Sequence, residues 1–379
     1  MIPISRAPEH FDLGDVTYLN CATQGPFPKE AVAAVHSALE LKTNPSLIRD
    51  TDYFDVPDAH RREAAGLLGC SPSEIAVTDS ATHGMMLLVN GLDWQPGDEV
   101  LIPTGEFPAN RFPWLSLERK GVRVREIELP PGCAGPEALE EAMSPRTRVF
   151  AASWVSYSSG LRLDLEALGG LCRDRGVLFA VDGSQAVGGL DLDLRRTPCD
   201  LLAVAGYKWL LGPYGTGLAY VASELVERLE LGNINWFAIR GARDFNRLSH
   251  CRLELEPGAW RFDVNETANF LNLGAATASL KLLRELSVTA IEAHVGGLLD
   301  RLSGGLPPGF HIISDRTPEH RSNILYFAAR DESATAAAYA RLRREKIVVA
   351  QREGAIRVSP FIYNTEADID RLLDVLREV

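Results

Sequence analysis

The 379-residue chain lacks the patterns that mark disulfide-rich, membrane and nucleic-acid-binding proteins. Its cysteines form no Cys-x-x-Cys pair, which is typical of reduced thiols rather than of a disulfide framework or a zinc site. They are Cys21, Cys70, Cys133, Cys172, Cys199 and Cys251. No apolar run approaches the ~18 residues of a membrane span, and the N-terminus lacks the apolar core of a signal peptide. The formal net charge of -12 disfavours nucleic acid as a partner. We therefore expect a cytoplasmic protein with neither a membrane nor a nucleic-acid partner.

What the sequence does contain is an alternation of short apolar strands and amphipathic helices over residues 28–230. Strands are predicted at 75–78, 99–102, 122–127, 148–155, 177–181, 200–205 and 216–221, and helices at 29–42, 81–92, 110–120 and 165–175. This alternation predicts an α/β fold in which helices cover both faces of a mainly parallel sheet. Ligands of such sheets bind beyond the carboxyl ends of the strands.

The pattern changes after a long segment of little periodicity at 232–265. Beyond it, helices are predicted at 266–286, 288–303, 334–346 and 366–379, and strands at 323–329, 347–349 and 356–358. Helices and strands in this order predict a smaller α+β domain. We divide the chain into a large domain over 15–250 and a small domain that combines 1–14 with 251–379.

Lys208 is the most informative residue, because it ends an apolar strand and precedes a glycine-rich turn. Burial disfavours the charged form of an amine and lowers its pKa, and such a lysine can form a Schiff base with an aldehyde. Asp182 ends a second apolar strand. A Schiff-base lysine, with an aspartate able to hold a pyridinium nitrogen, is typical of enzymes that use pyridoxal 5'-phosphate (PLP).

With Asp182, Gln185 and Lys208 in place, the chain resembles the class V aminotransferase family of fold-type I PLP enzymes. This family includes cysteine desulfurases, kynureninases and isopenicillin N epimerase-like enzymes. The resemblance extends from Tyr18–Gly25 to Arg357–Asp370. It implies PLP as the cofactor, an amino acid as the substrate, and a homodimer with shared active sites.

The resemblance also implies a cofactor-binding set. Lys208 is the Schiff-base lysine and proton shuttle, Asp182 keeps the ring nitrogen protonated, and Gln185 donates to the phenolic oxygen. The remaining implied cofactor contacts are Ala81, Thr82, His83, Phe107, Ser184, Tyr207 and Thr267, of which Thr267 reaches the phosphate of the neighbouring subunit. Helix capping is the competing interpretation for Thr82, His83 and Thr267, and core packing is the competing one for Phe107 and Tyr207.

The implied catalytic residues are Lys208, Asp182, Phe107 and Tyr157, and the implied substrate-binding residues are Asn20, Ala22, Tyr157 and Arg357. Arg357 would bind the α-carboxylate bidentately, a geometry that lysine cannot reproduce; a structural salt bridge is its competing interpretation. Phe107 stands where desulfurases have a stacking histidine. A phenylalanine ring can stack, but it cannot transfer a proton.

A cysteine desulfurase needs a nucleophilic cysteine on a mobile loop shortly before this arginine, and the segment Ile347–Arg357 is short and contains none. We therefore predict a PLP-dependent lyase or transferase that deprotonates Cα and breaks a C–S bond at Cβ of a cysteine-derived amino acid. An aminotransferase or an epimerase is the alternative, followed by kynureninase-like Cβ–Cγ cleavage. The segment 232–262 supplies either the side-chain pocket or a dimer interface.

Two hypotheses outside this class are disfavoured. A dinucleotide-dependent oxidoreductase needs a GxGxxG motif that opens a helix after a strand, whereas Gly212–Gly217 has another spacing and leads into a strand. A non-catalytic scaffold with a PLP-enzyme fold has no need for the combination of Lys208, Asp182, Gln185 and Arg357.

Overall fold

The computed structural model of the protein describes residues 2–129 and 135–378, so Cys133 lies outside the described residues. The described cysteines, Cys21, Cys70, Cys172, Cys199 and Cys251, are free thiols. None of the helices within the described ranges is both long and apolar enough to cross a membrane. The cytoplasmic location stays a prediction.

The described residues form strands and helices in close alternation. The strands are β1 (Thr17–Tyr18), β2 (Ile75–Thr78), β3 (Glu99–Pro103), β4 (Arg123–Ile127), β5 (Thr147–Ser153), β6 (Leu178–Asp182), β7 (Leu201–Ala205), β8 (Gly217–Val221), β9 (Phe310–Ile312), β10 (Leu325–Ala329), β11 (Ile347–Val348), β12 (Ala350–Arg352) and β13 (Ala355–Val358). The helices are α1 (Lys29–Thr43), α2 (Asp52–Leu68), α3 (Ala81–Gly91), α4 (Phe112–Leu115), α5 (Pro136–Ala142), α6 (Leu165–Arg175), α7 (Ser223–Val226), α8 (Phe270–Leu286), α9 (Val288–Gly305), α10 (Glu332–Arg344) and α11 (Glu366–Arg377).

The main sheet has seven strands in the order β2-β8-β7-β6-β5-β3-β4. Only β8 is antiparallel to its neighbours, β2 and β7. Successive residues of β3 pack into different cores, since Leu101 joins one apolar cluster and Val100 and Ile102 join another. The sheet is therefore buried on both faces, as parallel sheets usually are, and the predicted fold class is confirmed.

A second sheet of four antiparallel strands, β12-β13-β10-β9, follows in the chain. The N-terminal segment runs beside it, because β1 pairs in parallel with β11 and Asn20 forms a bridge with Ser359. This pairing brings residues from both ends of the chain together next to the main sheet. The domain boundaries given above stay predictions.

Two predicted helices differ from the structure, and three helices, α2, α5 and α7, were not predicted. The predicted helix at 110–120 is divided into 3-10 turns around the four-residue α4, which contains Pro113. The predicted helix at 266–286 begins only at Phe270, after the capping residue Asn269. The longest of the unpredicted helices is α2, which contains Pro57 as its sixth residue. Residues 232–265 contain only short 3-10 turns, in agreement with the predicted long loop.

Candidate active site

A cavity of about 210 Å³ lies at the carboxyl ends of the main-sheet strands. It lies where parallel α/β sheets bind their ligands. Eight of the predicted site residues line it together: Ala81, Thr82, Phe107, Tyr157, Asp182, Ser184, Gln185 and Lys208. A ninth, Tyr207, also lines it, with Ser80, Ser153 and Tyr214 among the others.

Lys208 follows β7 and is only 6% exposed. Its Nζ lies 5.2 Å from the ring centroid of Phe107 and 5.7 Å from that of Tyr207. Burial lowers the pKa of this amine, and the negative charge of Asp182 opposes the shift. The backbone here is crowded, because a Cβ on Gly25 would collide with the carbonyl oxygen of Lys208. Only glycine permits this close approach of the N-terminal segment.

Asp182 and Gln185 form the floor of the cavity beside Lys208. Asp182 is 4% exposed, and one of its carboxylate oxygens accepts a hydrogen bond from the Ser184 amide at 2.9 Å. The Gln185 side chain is fixed at both ends: it accepts from Trp209 Nε1 at 3.1 Å and donates to the carbonyl of Ala22 at 3.0 Å. One N–H of its amide therefore remains available to the cavity.

The N-terminus of α3 forms another wall. Ser80 caps this helix by accepting from the His83 amide at 3.1 Å, which assigns the capping role to Ser80 rather than to Thr82 or His83. The first amides of a helix have no intrahelical acceptor and favour an anion. Ala81 and Thr82 present such amides and line the cavity.

His83 is a predicted cofactor residue that does not line this cavity. Its Nδ1 lies 3.7 Å from a carboxylate oxygen of Asp79, and its side chain lines a separate cavity with Asn90 and Phe262. The reason is helical geometry, because one residue further along a helix points about a quarter-turn away.

Arg357, on β13, is 2% exposed. One of its terminal nitrogens donates to Thr23 Oγ1 at 2.6 Å and to Asn20 Oδ1 at 3.3 Å, while its buried Nε has no hydrogen-bond partner within the described ranges. No carboxylate of the described chain lies within ion-pair distance of it, so the structural salt bridge is absent there. A buried cation without a counter-charge is costly, and a bound carboxylate would relieve that cost.

The N-terminal segment contacts the Arg357 side chain, the Gln185 side chain and the backbone of Lys208. Asn20 contacts Arg357, the carbonyl of Ala22 accepts from Gln185, and Cys21 Sγ lies 3.7 Å from the Lys208 carbonyl. Asn20, Ala22 and Arg357 are not among the residues that line the cavity, but Ala22 holds Gln185, which does line it.

Thr267 is buried at 2% exposure away from the cavity of its own chain. Its hydroxyl donates to the Val264 carbonyl at 2.8 Å and accepts from Asn235 Nδ2 at 3.1 Å. Asn269, not Thr267, caps α8. The contact of Thr267 with the phosphate of a neighbouring subunit stays a prediction.

The hairpin that carries Arg357 leaves no room for a catalytic loop. Strands β12 and β13 pair from Ala350↔Arg357 to Arg352↔Ala355, so only Glu353 and Gly354 form the turn. Both have positive φ, 49° and 79°, as two-residue turns of type I′ require. A mobile cysteine loop before the arginine is therefore excluded.

Glu106 and Ser153 form a hydrogen-bonded pair near the cavity for which the sequence predicted no role. Glu106 is 8% exposed and accepts hydrogen bonds from the amide and the hydroxyl of Ser153 at 2.6 and 2.5 Å. The only signal for Glu106 was its position just after a strand end; its burial is a tertiary property.

The residues around the cavity fit PLP. The cofactor would need a buried amine, an acceptor for a pyridinium proton and an anion site; Lys208, Asp182 and the N-terminus of α3 supply them around one cavity. The free N–H of Gln185 adds a donor for the phenolic oxygen.

Comparison with known proteins assigns the chain to a family. A sequence profile described as aminotransferase class-V matches residues 33–372. Isopenicillin N epimerase from Streptomyces clavuligerus is 31% identical over 385 residues, covering 95% of this chain and 94% of that protein. The same enzyme from Amycolatopsis lactamdurans is 30% identical, with coverages of 96% and 95%. A probable cysteine desulfurase from Methanothermobacter thermautotrophicus is 26% identical, with coverages of 97% and 95%.

Solved structures share the fold. The cystine C–S lyase C-DES, in complex with its reaction product cysteine persulfide, has a TM-score of 0.86 at 24% identity and covers 96% of this chain and 98% of its own. The cysteine desulfurase CsdA from Escherichia coli has a TM-score of 0.85 at 21% identity, with coverages of 100% and 98%. The match over residues 33–372 is decisive: the chain belongs to the aminotransferase class-V family of PLP-dependent enzymes.

Proposed function

We propose that this enzyme removes the Cα proton of a cysteine-derived amino acid and then releases the sulfur group from Cβ. One arrangement carries the proposal: the segment 20–25 contacts the backbone carbonyl of Lys208 and the guanidinium of Arg357, and the charge of Arg357 adds to burial in lowering the pKa of the Lys208 amine. A base for Cα–H and a cation for the α-carboxylate are the two groups that any reaction at the Cα of an amino acid requires.

PLP, when bound, supplies an aldehyde for Lys208 and a ring that accepts the electron pair left at Cα. We assign the phosphate to the amides of Ala81 and Thr82 and to the hydroxyls of Thr82 and Tyr207. Asp182, held by the Ser184 amide, would bind the ring nitrogen. The free N–H of Gln185 would bind the phenolic oxygen, and Phe107 would pack on the ring.

Lys208 is the proposed base. Because burial lowers the pKa of its amine, a larger fraction is neutral near pH 7 than for an exposed lysine, and only the neutral amine accepts a proton. Lys208 Nζ would take the Cα proton within the aromatic surroundings of Phe107 and Tyr207, which limit the access of water.

Arg357 is the proposed anchor for the substrate carboxylate. Among the described residues its Nε has no hydrogen-bond partner, and one terminal nitrogen is already fixed by Asn20 and Thr23. This fixation orients the planar group before the substrate arrives, so less side-chain entropy is lost on binding.

Tyr157 lines the cavity and lies with its ring centroid 5.1 Å from that of Phe107; we assign it to the substrate side.

Release of a thiolate needs no nucleophile from the protein, which agrees with a hairpin that has no cysteine. The Cα–H bond breaks with its proton going to Lys208 Nζ, and the Cβ–S bond breaks with its electron pair leaving on sulfur. With one water for hydrolysis, a cysteine S-conjugate yields pyruvate, ammonia and the thiol, so that atoms and charge balance.

Epimerisation at Cα is the second candidate, and the two isopenicillin N epimerases at 31% and 30% identity favour it. It shares the deprotonation by Lys208 but returns a proton to the opposite face of Cα. A Cβ leaving group is then unnecessary.

The test is incubation of the PLP-loaded enzyme with an S-alkyl cysteine in D₂O. We expect pyruvate and thiol in equal amounts, and no activity in Lys208→Ala. Alanine, which has no leaving group on Cβ, is the matched substrate and should show Cα deuteration only. If the S-alkyl cysteine is deuterated and inverted at Cα and no pyruvate forms, the enzyme is an epimerase and not a lyase. If the amino group is transferred in a reaction that depends on an added keto acid, the enzyme is an aminotransferase and neither of the two.

We further propose that two copies of the chain share their active sites. Tyr214 lines the cavity while 73% of its surface is exposed, so this side of the cavity is open to a partner. The exposed Trp236 and Leu253 lie in the segment 232–262, which we assign to the interface.

Mixing two inactive variants tests the sharing. A hybrid of Lys208→Ala and Thr267→Ala chains has one intact site only if Thr267 acts on its partner's cofactor. Random pairing into dimers should then restore roughly a quarter of the wild-type activity. No recovery in mixed dimers, with the mass of a dimer verified by light scattering, would contradict the role of Thr267 in the neighbouring subunit.

A further inference from the structure

Glu106 is a buried carboxyl that none of the steps above uses. It follows β3, and both of its oxygens are engaged by one residue, Ser153, through the backbone amide at 2.6 Å and the hydroxyl at 2.5 Å. A carboxyl that is held twice by one partner has a fixed position. Its location is therefore determined by the end of β5.

Ser153 connects Glu106 to the cofactor site. It is the last residue of β5 and pairs in register with Asp182, the last residue of β6. Side chains of paired residues on neighbouring strands lie on the same face of the sheet, with the strands less than ~5 Å apart. Ser153 also lines both the Lys208 cavity and a second cavity of about 140 Å³, which Glu106 lines. Glu106, Ser153 and Asp182 thus form a continuous row.

The surroundings of Glu106 are short of positive charge. Burial raises the pKa of Glu106 to about 7, the charge of Asp182 adds to the shift, and hydrogen bonds from Ser153 and Asn110 oppose it. Glu128, which is exposed, lines the same cavity as Glu106, and so does the partly buried Tyr157. The Lys208 amine lies over the adjacent ring of Phe107. Glu106 therefore changes its charge close to neutral pH.

We propose that Glu106 is a positioning residue of the cofactor site: it fixes Ser153 beside Asp182, and its negative charge helps to keep the ring nitrogen protonated. A negative charge close to a protonated group makes loss of that proton less favourable. The inference rests on the proposed contact between Asp182 and the ring nitrogen. It gives the site a second acidic group, behind Asp182, that holds the ring in its electron-accepting form.

The experiment follows the ring nitrogen itself. The full-length apoenzyme is loaded with ¹⁵N-labelled PLP, and the ¹⁵N chemical shift is measured against pH. Glu106→Gln preserves shape and removes the charge, so the nitrogen should lose its proton about one pH unit lower than in the wild type. Glu128→Gln, an exposed glutamate on the same cavity, should leave the titration unchanged. Asp182→Asn should give the larger drop.

An unchanged nitrogen titration in Glu106→Gln, with Asp182→Asn shifted, would overturn the role of Glu106 alone. An unchanged titration in Asp182→Asn would instead refute the proposed role of Asp182. If Glu106→Gln fails to fold, the Ser153→Ala variant tests the proposal in its place, because it removes only the hydroxyl that donates to Glu106. A shift in the same direction in Ser153→Ala supports the proposal, and no shift contradicts it.

Discussion

At the scale of single residues, the site combines buried charge with incomplete pairing. Lys208 and Arg357 are both nearly inaccessible, yet neither has a carboxylate within ion-pair distance among the described residues. Stable folding normally avoids this, because an unpaired buried charge costs free energy. Buried charges without a partner are typical of functional sites, where a bound ligand can supply the opposite charge.

The guanidinium of Arg357 gives the first prediction. Arg357→Lys keeps a positive charge but loses the planar, bidentate geometry, so the KM for an α-carboxylate substrate should rise by tenfold to a hundredfold, as expected for about 1.5–3 kcal/mol of a charged hydrogen bond. Steady-state kinetics measure it. Arg352→Lys, an exposed arginine in the same hairpin, should have no effect. Equal KM values for the wild type and Arg357→Lys would refute the carboxylate role.

Residues that follow a strand end could be predicted to lie together, because parallel strands bring their carboxyl ends to one edge. Asp182 and Lys208 were predicted in this way and Gln185 through the family resemblance, and the structure brings all three to one cavity. The direction of His83 could not be predicted although the start of α3 was, because it depends on how that helix packs against the sheet. The burial of Glu106 depends on Ser153, 47 residues further along the chain, which a local pattern does not contain.

At the scale of elements, strands and helices were predicted about equally well: α1, α3 and α6 match their predictions to within one residue, whereas β1, β9 and β12 were not predicted. The apolar runs of β2, β6 and β7 are bounded by polar residues or glycine, and their predicted ends differ from the structure by at most one residue. Helix prediction failed at prolines. Pro113 divides the predicted helix at 110–120, whereas α2 continues through Pro57, its sixth residue, although proline there removes the hydrogen bond to the carbonyl of Tyr53.

The β12–β13 hairpin gives the second prediction. Gly354 has a φ of 79°, and a Cβ there would meet no atom within 4 Å. Gly354→Val should therefore destabilise the protein through backbone strain alone, by about 1–2 kcal/mol. The midpoint of denaturant unfolding measures the loss. Gly309→Val, another open position without positive φ, is the control, and equal midpoints for the two variants would contradict the strained turn.

At the scale of the whole molecule, the N-terminal segment and the C-terminal hairpin close one site from two ends of the chain. Residues 17–20 pair with β11 and Ser359, and the same segment contacts Lys208 through Cys21. The site therefore exists only in the complete fold, and its integrity depends on global stability.

That global stability should depend on pH through His60. This residue of α2 is 3% exposed, its Nδ1 lies 3.3 Å from Thr277 Oγ1 of α8, and its Nε2 has no hydrogen-bond partner within the described ranges. Burial lowers the pKa of His60 to about 3, and the charge of Arg61 adds to the shift.

Between pH 6.5 and 3 the unfolded chain therefore binds a proton at His60 that the folded chain does not, so the folded state loses stability as the pH falls. The expected loss from pH 7 to pH 5 is about 2 kcal/mol from this residue. His60→Gln should remove that part of the acid sensitivity, whereas His36→Gln, an exposed histidine of α1, should retain it. Unfolding free energies at the two pH values measure the difference. Other buried acids, such as Glu106, titrate in the opposite sense, but they are common to all three proteins and cancel in the comparison. An equal loss in the wild type and His60→Gln would show that the α2–α8 contact accommodates the charged imidazole.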